Sequence, residues 1–400
     1  MRVAFGIEKL FAGGGLQRDC VDIAKLLVER GHEVVIYAAR AHSNTVAEDI
    51  PVVVLKNSAW TNHQRLRKFS VDFLRESASG FDLTVGFNKL SGLDVLYCAD
   101  ASTYHRVIKR PYLRLLPRYR VYAGLEKDSF ERYQTTTVIL LSQNQLIEYR
   151  SAWTTELERL HLVPPTLSAA RRSPQYRLDG TRQKLRSQLG IKEECVWIAI
   201  GVQPKTKGFD RIIQALPRYP NARLLIVGVG ETSKPAANLA TQARKLGVSS
   251  RVNLLGHRED ITQLMAAADL LVHPARYDTT GTVILEAVVN GLPVVTTAAC
   301  GYAAHVEAAQ AGVVVKEPFD FRLFLAALDE AQESVRQQSW SKAGVEFGQS
   351  GTLYEGKLRA AEIILHEARI RCHTETTVAP EQHYSSNIIE YSNIKKLHVI

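Results

Sequence analysis

Cysteine is scarce: the 400 residues hold five, Cys20, Cys98, Cys195, Cys300 and Cys372, far apart and with no CxxC pair. That excludes a disulfide scaffold and a thiolate metal site, and predicts reduced core thiols in a cytosolic protein. No apolar run reaches the ~18 residues that a membrane-spanning helix needs. Met1 leads directly into a strand pattern rather than a signal peptide. There is no Asp-x-Asp pair and no His/Cys cluster at metal-ligand spacing, so no metal is expected. Local signatures of Ser-His-Asp or Cys-His catalysis are missing as well.

What remains is an ordinary globular composition, 46% hydrophobic and 23% charged, on a chain long enough for two or three domains. Its 50 Lys and Arg outnumber 41 Asp and Glu, a net charge of +9. Such a balance calls for an anionic partner: nucleic acid, a phosphorylated small molecule or a membrane face.

Residues 3–7, 33–37, 52–55, 83–87, 95–98 and 137–140 read as buried strands separated by helical stretches. In the first of these helices Leu16, Cys20, Ile23, Ala24 and Leu27 share a face and Gly31 ends the run. A polar segment opens at Pro164-Pro165, after which residues 196–200, 224–227, 252–255, 270–272 and 293–296 repeat the alternation. Continuous apolar strands interleaved with helices predict parallel sheets covered on both faces. The expectation is an α/β protein of two doubly wound, Rossmann-like domains. Residues 1–163 form the first, 164–183 a hinge and 184–350 the second. Residues 351–370 form a helix packed back on the first domain, and 371–400 a loosely ordered tail.

Gly13, Gly14 and Gly15 join the first strand to the first helix, but Arg18 stands where a dinucleotide fingerprint needs its third glycine, and no GK[ST] follows. The turn serves either a tight connection or a helix amino end that receives an anion. Lys205 and Lys207, in GVQPKTKGFDR, are either solvated loop lysines or a pair that neutralises a diphosphate. The segment HPARYDTTGTVILEAVVNGLPVVTT is sharper. There Gly281 opens a helix whose first-turn amides, Thr282 and Val283, are free donors, and Glu286 can accept from a vicinal diol. In the bland alternative Asp278 caps that helix and Glu286 is a surface group, yet the helix is apolar nearly all round and a buried carboxylate needs partners. Asp100, after the strand 95–98, either faces the cleft between domains or caps the next helix.

Taken in order, GGLQRD (14–19), VGFNKLSGLDV (85–95), Pro164-Pro165, KGFDR (207–211), LMAAADLLVHPA (264–275), GxxxLEA (281–287) and GLPVVTTAACGYA (291–303) resemble the family-four retaining glycosyltransferases of GT-B fold. Within them the branch that glucosylates the heptose of lipopolysaccharide core is most similar. The resemblance implies two domains facing a central cleft and a UDP-sugar co-substrate with no cofactor. Gly14 and Gly15 would meet the diphosphate, with Lys205, Thr206 and Lys207 facing it from the second domain. Arg171 would touch the donor, Glu286 hold the ribose, and Gly281, Thr282 and Val283 present backbone amides. Asp278 would read the sugar, and Asp100 would orient the acceptor hydroxyl. Asp278 stands where the family usually has glutamate, and Thr206-Lys207 where it has Arg-Lys, with Lys205 as the replacement cation.

Positive charge concentrates in residues 103–127, where Arg106, Lys109, Arg110, Arg114, Arg118, Arg120 and Lys127 face only Glu126, with Tyr112 and other tyrosines interleaved. The segment suits an anionic bilayer, a plain solvated face, or a nucleic-acid patch. A lipid-anchored saccharide acceptor, which the resemblance implies, favours the membrane over nucleic acid. The expected setting is the cytoplasmic face of the inner membrane. Competing readings are a catalytically inactive nucleotide-sugar-binding protein of the same fold and a transferase with another donor sugar or acceptor.

Overall fold

Strands that are apolar along their whole length need cover on both faces, and the chain arranges this twice. The computed structural model describes residues 1–376, apart from 12–13, 42–49, 193–194 and 231. In the first sheet β1 (Arg2–Leu10), β2 (Glu33–Ala41), β3 (Val52–Val54), β4 (Leu83–Gly86), β5 (Val95–Cys98), β6 (Thr137–Leu140) and β7 (Leu160–Leu162) run in the order β3-β2-β1-β4-β5-β6-β7. The second holds β8 (Cys195–Ile200), β9 (Ala222–Val227), β10 (Val252–Leu254), β11 (Leu270–His273), β12 (Val294–Thr297) and β13 (Gly312–Val315), ordered β10-β9-β8-β11-β12-β13. Neighbouring strands in both sheets pair in parallel, for example Val3 opposite Val34 and Val272 opposite Val295. Each sheet reverses its winding beside its first strand. This leaves a crevice at the carboxyl ends of β1 and β4, and another at those of β8 and β11, where ligands of open parallel sheets bind. The two doubly wound sheets expected from the pattern are thus present, with β7 and β13 as additions to it.

One face of the first sheet packs Phe5, Ile7 and Val85 on Ile23 and Leu27 of the helix Gly15–Val28. The other packs Leu96 and Leu140 on Phe69, Phe73 and Tyr149. In the second sheet Trp197 and Leu224 face Phe209 and Phe324, while Ile198 and Leu271 face Ile284 and Val288. Cys20, Cys98 and Cys300 are buried free thiols.

The long helix Gly356–Thr376 returns to the first domain and buries Ala360, Ala361, Ile364, Leu365 and Ala368 in its core. It continues past residue 370. A loose tail from 371 is therefore corrected for 371–376, where helical bonding persists and the Arg371 guanidinium meets Asp94 at 2.6 Å; the rest of the expected tail, 377–400, lies outside the described residues. Two backbones cross between the domains. They are bonded to each other, Gly356 N–H to the Pro165 carbonyl at 3.1 Å and Leu167 N–H to the Leu353 carbonyl at 3.2 Å. A Cβ on Gly356 would lie 2.2 Å from the Pro164 oxygen, so the crossing chains touch with no side chain between them. Beyond the crossing the expected hinge is anchored to the second domain. Arg177 donates to the Met265 and Ala268 carbonyls (3.2 and 3.1 Å), and Asn290 ties Ser173 and Arg171 to the end of the helix Thr282–Val289.

Candidate active site

The loop after β8 is shaped by a glycine and braced by an arginine. Gly208 takes φ +74°, and a Cβ there would fall 1.9 Å from the Pro274 carbonyl oxygen, so only glycine lets the loop close onto the end of β11. Behind it Arg276 forks onto Asp210 (2.7 Å to each oxygen) and donates to the Lys205 carbonyl at 2.7 Å. Held this way, Lys207 places its Nζ 2.6 Å from Asp278 Oδ2. Asp278 is itself stapled beyond β12: its N–H donates to the Ala299 carbonyl and its own carbonyl accepts from Gly301. His273 Nε2 reaches the same Oδ2 at 2.9 Å.

Burial by itself would raise the Asp278 carboxyl. The His273 hydrogen bond and the Lys207 ammonium more than offset it and hold the group well below the carboxylate range. Burial also opposes a charged His273, yet its bond to Asp278 and the neighbouring Cys300 push it up to about 9. The geometry therefore sets a buried carboxylate between Lys207 and His273, whose Nδ1 has no hydrogen-bond partner among the described residues. His273, Asp278 and Cys300 offer ligand-type atoms within 4.8 Å of one another. Asp278 Oδ2 is engaged by Lys207 and His273, and Cys300 Sγ accepts from Thr296.

Glu286 is only 7% exposed, and its carboxylate has no hydrogen-bond partner among the described residues. Burial raises its pKa, against the pull of Arg171 and Arg18. Gly281, at φ +75°, starts the helix that carries it, and the Thr282 and Val283 amides precede the first turn bond, Ile284 N–H to Gly281. These groups meet in a cavity of about 320 Å³ lined by Lys207, Asp278, Thr282, Val283, Glu286 and Arg171, with Arg18 from the first domain. A narrower pocket adjoins it at Arg18, Thr282 and Glu286, and reaches Gly15, Asp19 and Lys357. A Cβ on Gly15 would meet nothing within 4 Å, which leaves that helix end open to a ligand. Gly14 is its N-cap residue and accepts from Arg18 N–H through its carbonyl.

Lys205 and Thr206 are not gathered with these residues; they line a neighbouring cavity with Asp210 and Lys234, which meets this one at Val202. The cations that accompany Lys207 are Arg18, Arg171 and Arg258, the last forked onto Asp260 at 2.8 and 2.6 Å. Asp100 is exposed and lines none of these cavities; its backbone carbonyl accepts from Gln145 (3.0 Å) and Tyr149 (2.9 Å). Sequence reasoning passed over Arg18, Arg258 and His273. In the sequence Arg18 stands out only as the residue that breaks a glycine pattern. A signal was available in its spacing, one helical turn after Gly15 and hence on the same helix end.

In the basic segment, the helix Thr103–Lys109, a turn over Pro111–Leu115 and the helix Pro117–Phe130 leave Tyr112 (64%), Leu115 (75%) and Leu116 (48%) exposed. Arg106, Arg110, Arg114, Arg118 and Arg120 are exposed among them, while the Lys109 side chain lies outside the described residues. Glu126, the segment's one acid, is withdrawn completely. It is 0% exposed, paired with Lys89 at 2.7 Å, and accepts from Ser102, from the Thr103 and Tyr104 amides and from Trp153. Burial penalises its charge, but Lys89 and these donors keep its pKa low. Among the described residues the outer surface of the segment therefore carries no acidic side chain. No helix among the described residues is long and apolar enough to cross a membrane.

Residues 181–346, which carry Lys207, Asp278 and Glu286, match the family described as "Glycosyl transferases group 1". Over 376 residues the chain is 35% identical to the lipopolysaccharide glucosyltransferase WaaG of Escherichia coli (strain K12), spanning 91% of this chain and 98% of that protein. The chain belongs to the group 1 glycosyl transferases. A crystal structure of WaaG, a glycosyltransferase involved in lipopolysaccharide biosynthesis, superposes on this transferase with a TM-score of 0.83 at 35% identity, over 90% of this chain and 99% of that one. Sucrose-phosphate synthase from Thermosynechococcus elongatus shares the fold, with a TM-score of 0.73 at 17% identity over 94% of this chain and 99% of that one. The transferase thus has the two-domain GT-B architecture, with its candidate site between the sheets.

Proposed function

We propose that this transferase moves a hexose, glucose first among the candidates, from a UDP-sugar to a heptose or other sugar of lipopolysaccharide core. The anomeric configuration is retained, no metal takes part, and the enzyme works at the cytoplasmic face of the inner membrane. The observation that carries the reading is convergence: two helix amino ends, Lys207 and an unpartnered buried Glu286 border adjoining parts of one cleft. The similarity to WaaG along nearly its full length supports the substrate class.

In this mechanism the Thr282 and Val283 amides and the Gly15 helix end hold the diphosphate, and Glu286 accepts from the ribose diol. The bond from the anomeric carbon to the phosphate oxygen breaks, and its electron pair goes to that oxygen. Lys207 and the helix ends stabilise the negative charge that develops there. The acceptor hydroxyl forms the new bond on the same face, and its proton passes to the departing oxygen. Asp278, fixed by His273, is the carboxylate placed to read the hexose hydroxyls.

Thermal unfolding with UDP-, GDP- and ADP-glucose tests the donor. At 100 times its dissociation constant a donor adds about 2.7 kcal/mol, and the UDP-sugar alone is expected to raise Tm and to be slowly hydrolysed. A shift with another nucleotide only would overturn the donor, and a shift without hydrolysis or transfer would favour an inactive binder. Membrane docking has its own test. A variant with Arg110, Arg114 and Arg118 all changed to serine is expected to bind anionic vesicles on the order of 100-fold more weakly, at roughly 1 kcal/mol per basic residue. Equal sedimentation of both proteins, or of neither at low salt, would refute it.

A further inference from the structure

A second cavity, of about 680 Å³, lies against the donor cavity, and Asp278 is the one described residue that lines both. Its walls come from both domains: His105, Arg106 and Glu148 on one side, Arg276, Tyr277 and Thr279 on the other. Most of its charged groups are already engaged. Glu148 accepts from the Ser102 amide at 3.0 Å and the Tyr277 hydroxyl at 3.2 Å, and Arg276 is forked onto Asp210. Glu317 accepts from the Phe319 amide. Arg106 is different. Its guanidinium has no hydrogen bond or ion pair among the described residues, and it sits on a short helix whose first amides are pinned by Glu126. Beside it His105 has a marginal contact, Nδ1 to Ser151 Oγ at 3.5 Å, and an electrostatic interaction with the Glu148 carboxylate.

We propose that this cavity is the acceptor subsite, and that Arg106 with His105 binds an anionic group, phosphate or carboxylate, on the acceptor saccharide. The proposal rests on the transferase reading. Retention requires the acceptor beside the hexose on the face from which the diphosphate leaves, and this cavity borders the donor cavity at Asp278, the carboxylate assigned above to the hexose. A guanidinium fork matches the paired oxygens of phosphate and carboxylate. The same helix leads into the exposed Tyr112 and Leu115, so an acceptor rising from a bilayer passes Arg106 before it reaches Asp278. Arg106, grouped with the membrane-facing residues on sequence, acquires a role inside the cleft.

The test is steady-state transfer, without vesicles, to three water-soluble, lipid-free core oligosaccharides: neutral, phosphorylated and carboxylate-bearing. The unaltered enzyme is expected to prefer one or both anionic acceptors by at least 10-fold in kcat/KM, and the preferred one identifies the group. Arg106→Ser is expected to bring that ratio close to one, chiefly through KM, and Arg106→Lys to restore it in part. An unaltered ratio in the serine variant, or no preference in the unaltered enzyme, would overturn the proposal. Donor hydrolysis by the unaltered enzyme without acceptor checks the transferase reading separately.

Discussion

Lys207→Ala is expected to lower kcat by about 10²–10³-fold, the cost of losing one fixed donor to a developing oxyanion, while the protein stays folded. The folded state tolerates the change because Asp278, though buried, keeps His273 at 2.9 Å and is not left as an isolated charge. Ground-state binding of the diphosphate is also largely preserved, since Arg18, Arg171, Arg258 and the first-turn amides remain in the cavity. In the proposed mechanism, what disappears is the cation that meets charge arriving on the leaving oxygen. Single-turnover and steady-state rates separate the cases. A rise in donor KM with kcat unchanged would mean that Lys207 binds the substrate and its transition state equally, contrary to the assigned role.

Glu286→Gln is expected to move stability and binding in opposite directions. The neutral side chain should weaken UDP affinity by about 10- to 100-fold, the range for losing hydrogen bonds to a charged group. The free protein should at the same time unfold at a higher temperature. Burial raises the folded-state pKa of Glu286, so the native state binds its proton more tightly than the unfolded chain does. Ionisation therefore costs stability. The cost is absent below the unfolded pKa, develops as pH rises towards the folded value and is complete above it. The gain in Tm for the glutamine variant should accordingly appear near neutral pH and vanish in acid. Calorimetric titration with UDP and melting curves at pH 4 and 7.5 would check both halves. Unchanged UDP affinity would remove Glu286 from the ribose.

The first sheet was readable because residues 3–7 of β1 and the short strands β4, β5 and β6 are mostly β-branched and apolar, and burial on both faces leaves that imprint. β7, Leu-His-Leu, was not, because three residues with a histidine in the middle give no periodicity. The last turns of the helix Gly356–Thr376 were missed for a related reason. Ile370 is exposed there, so the apolar stripe stops before the hydrogen bonding does. In the site, Lys207, Gly281 and Glu286 could be found because they belong to contiguous motifs, each set by a local turn or helix start. Arg258, His273 and Glu148 could not, since their places at these cavities arise only when distant segments meet, whereas Arg18 carried a signal in its spacing from Gly15. Lys205 shows the opposite limit. Two residues from Lys207 in sequence, it faces another cavity because the turn into Gly208 divides the loop between two sides. The acidity of residue 126 was legible, but its removal to the interior depends on Lys89, far away in sequence.

The paired crossing near Pro165 and Gly356 has a mechanical consequence. A lone connecting peptide would let one lobe swivel, twist and slide against the other. Two adjoining strands behave as a door hung on a double pin: they leave one soft axis of rotation and stiffen the rest. A rotation about that axis would return Arg18 to the same place opposite Glu286.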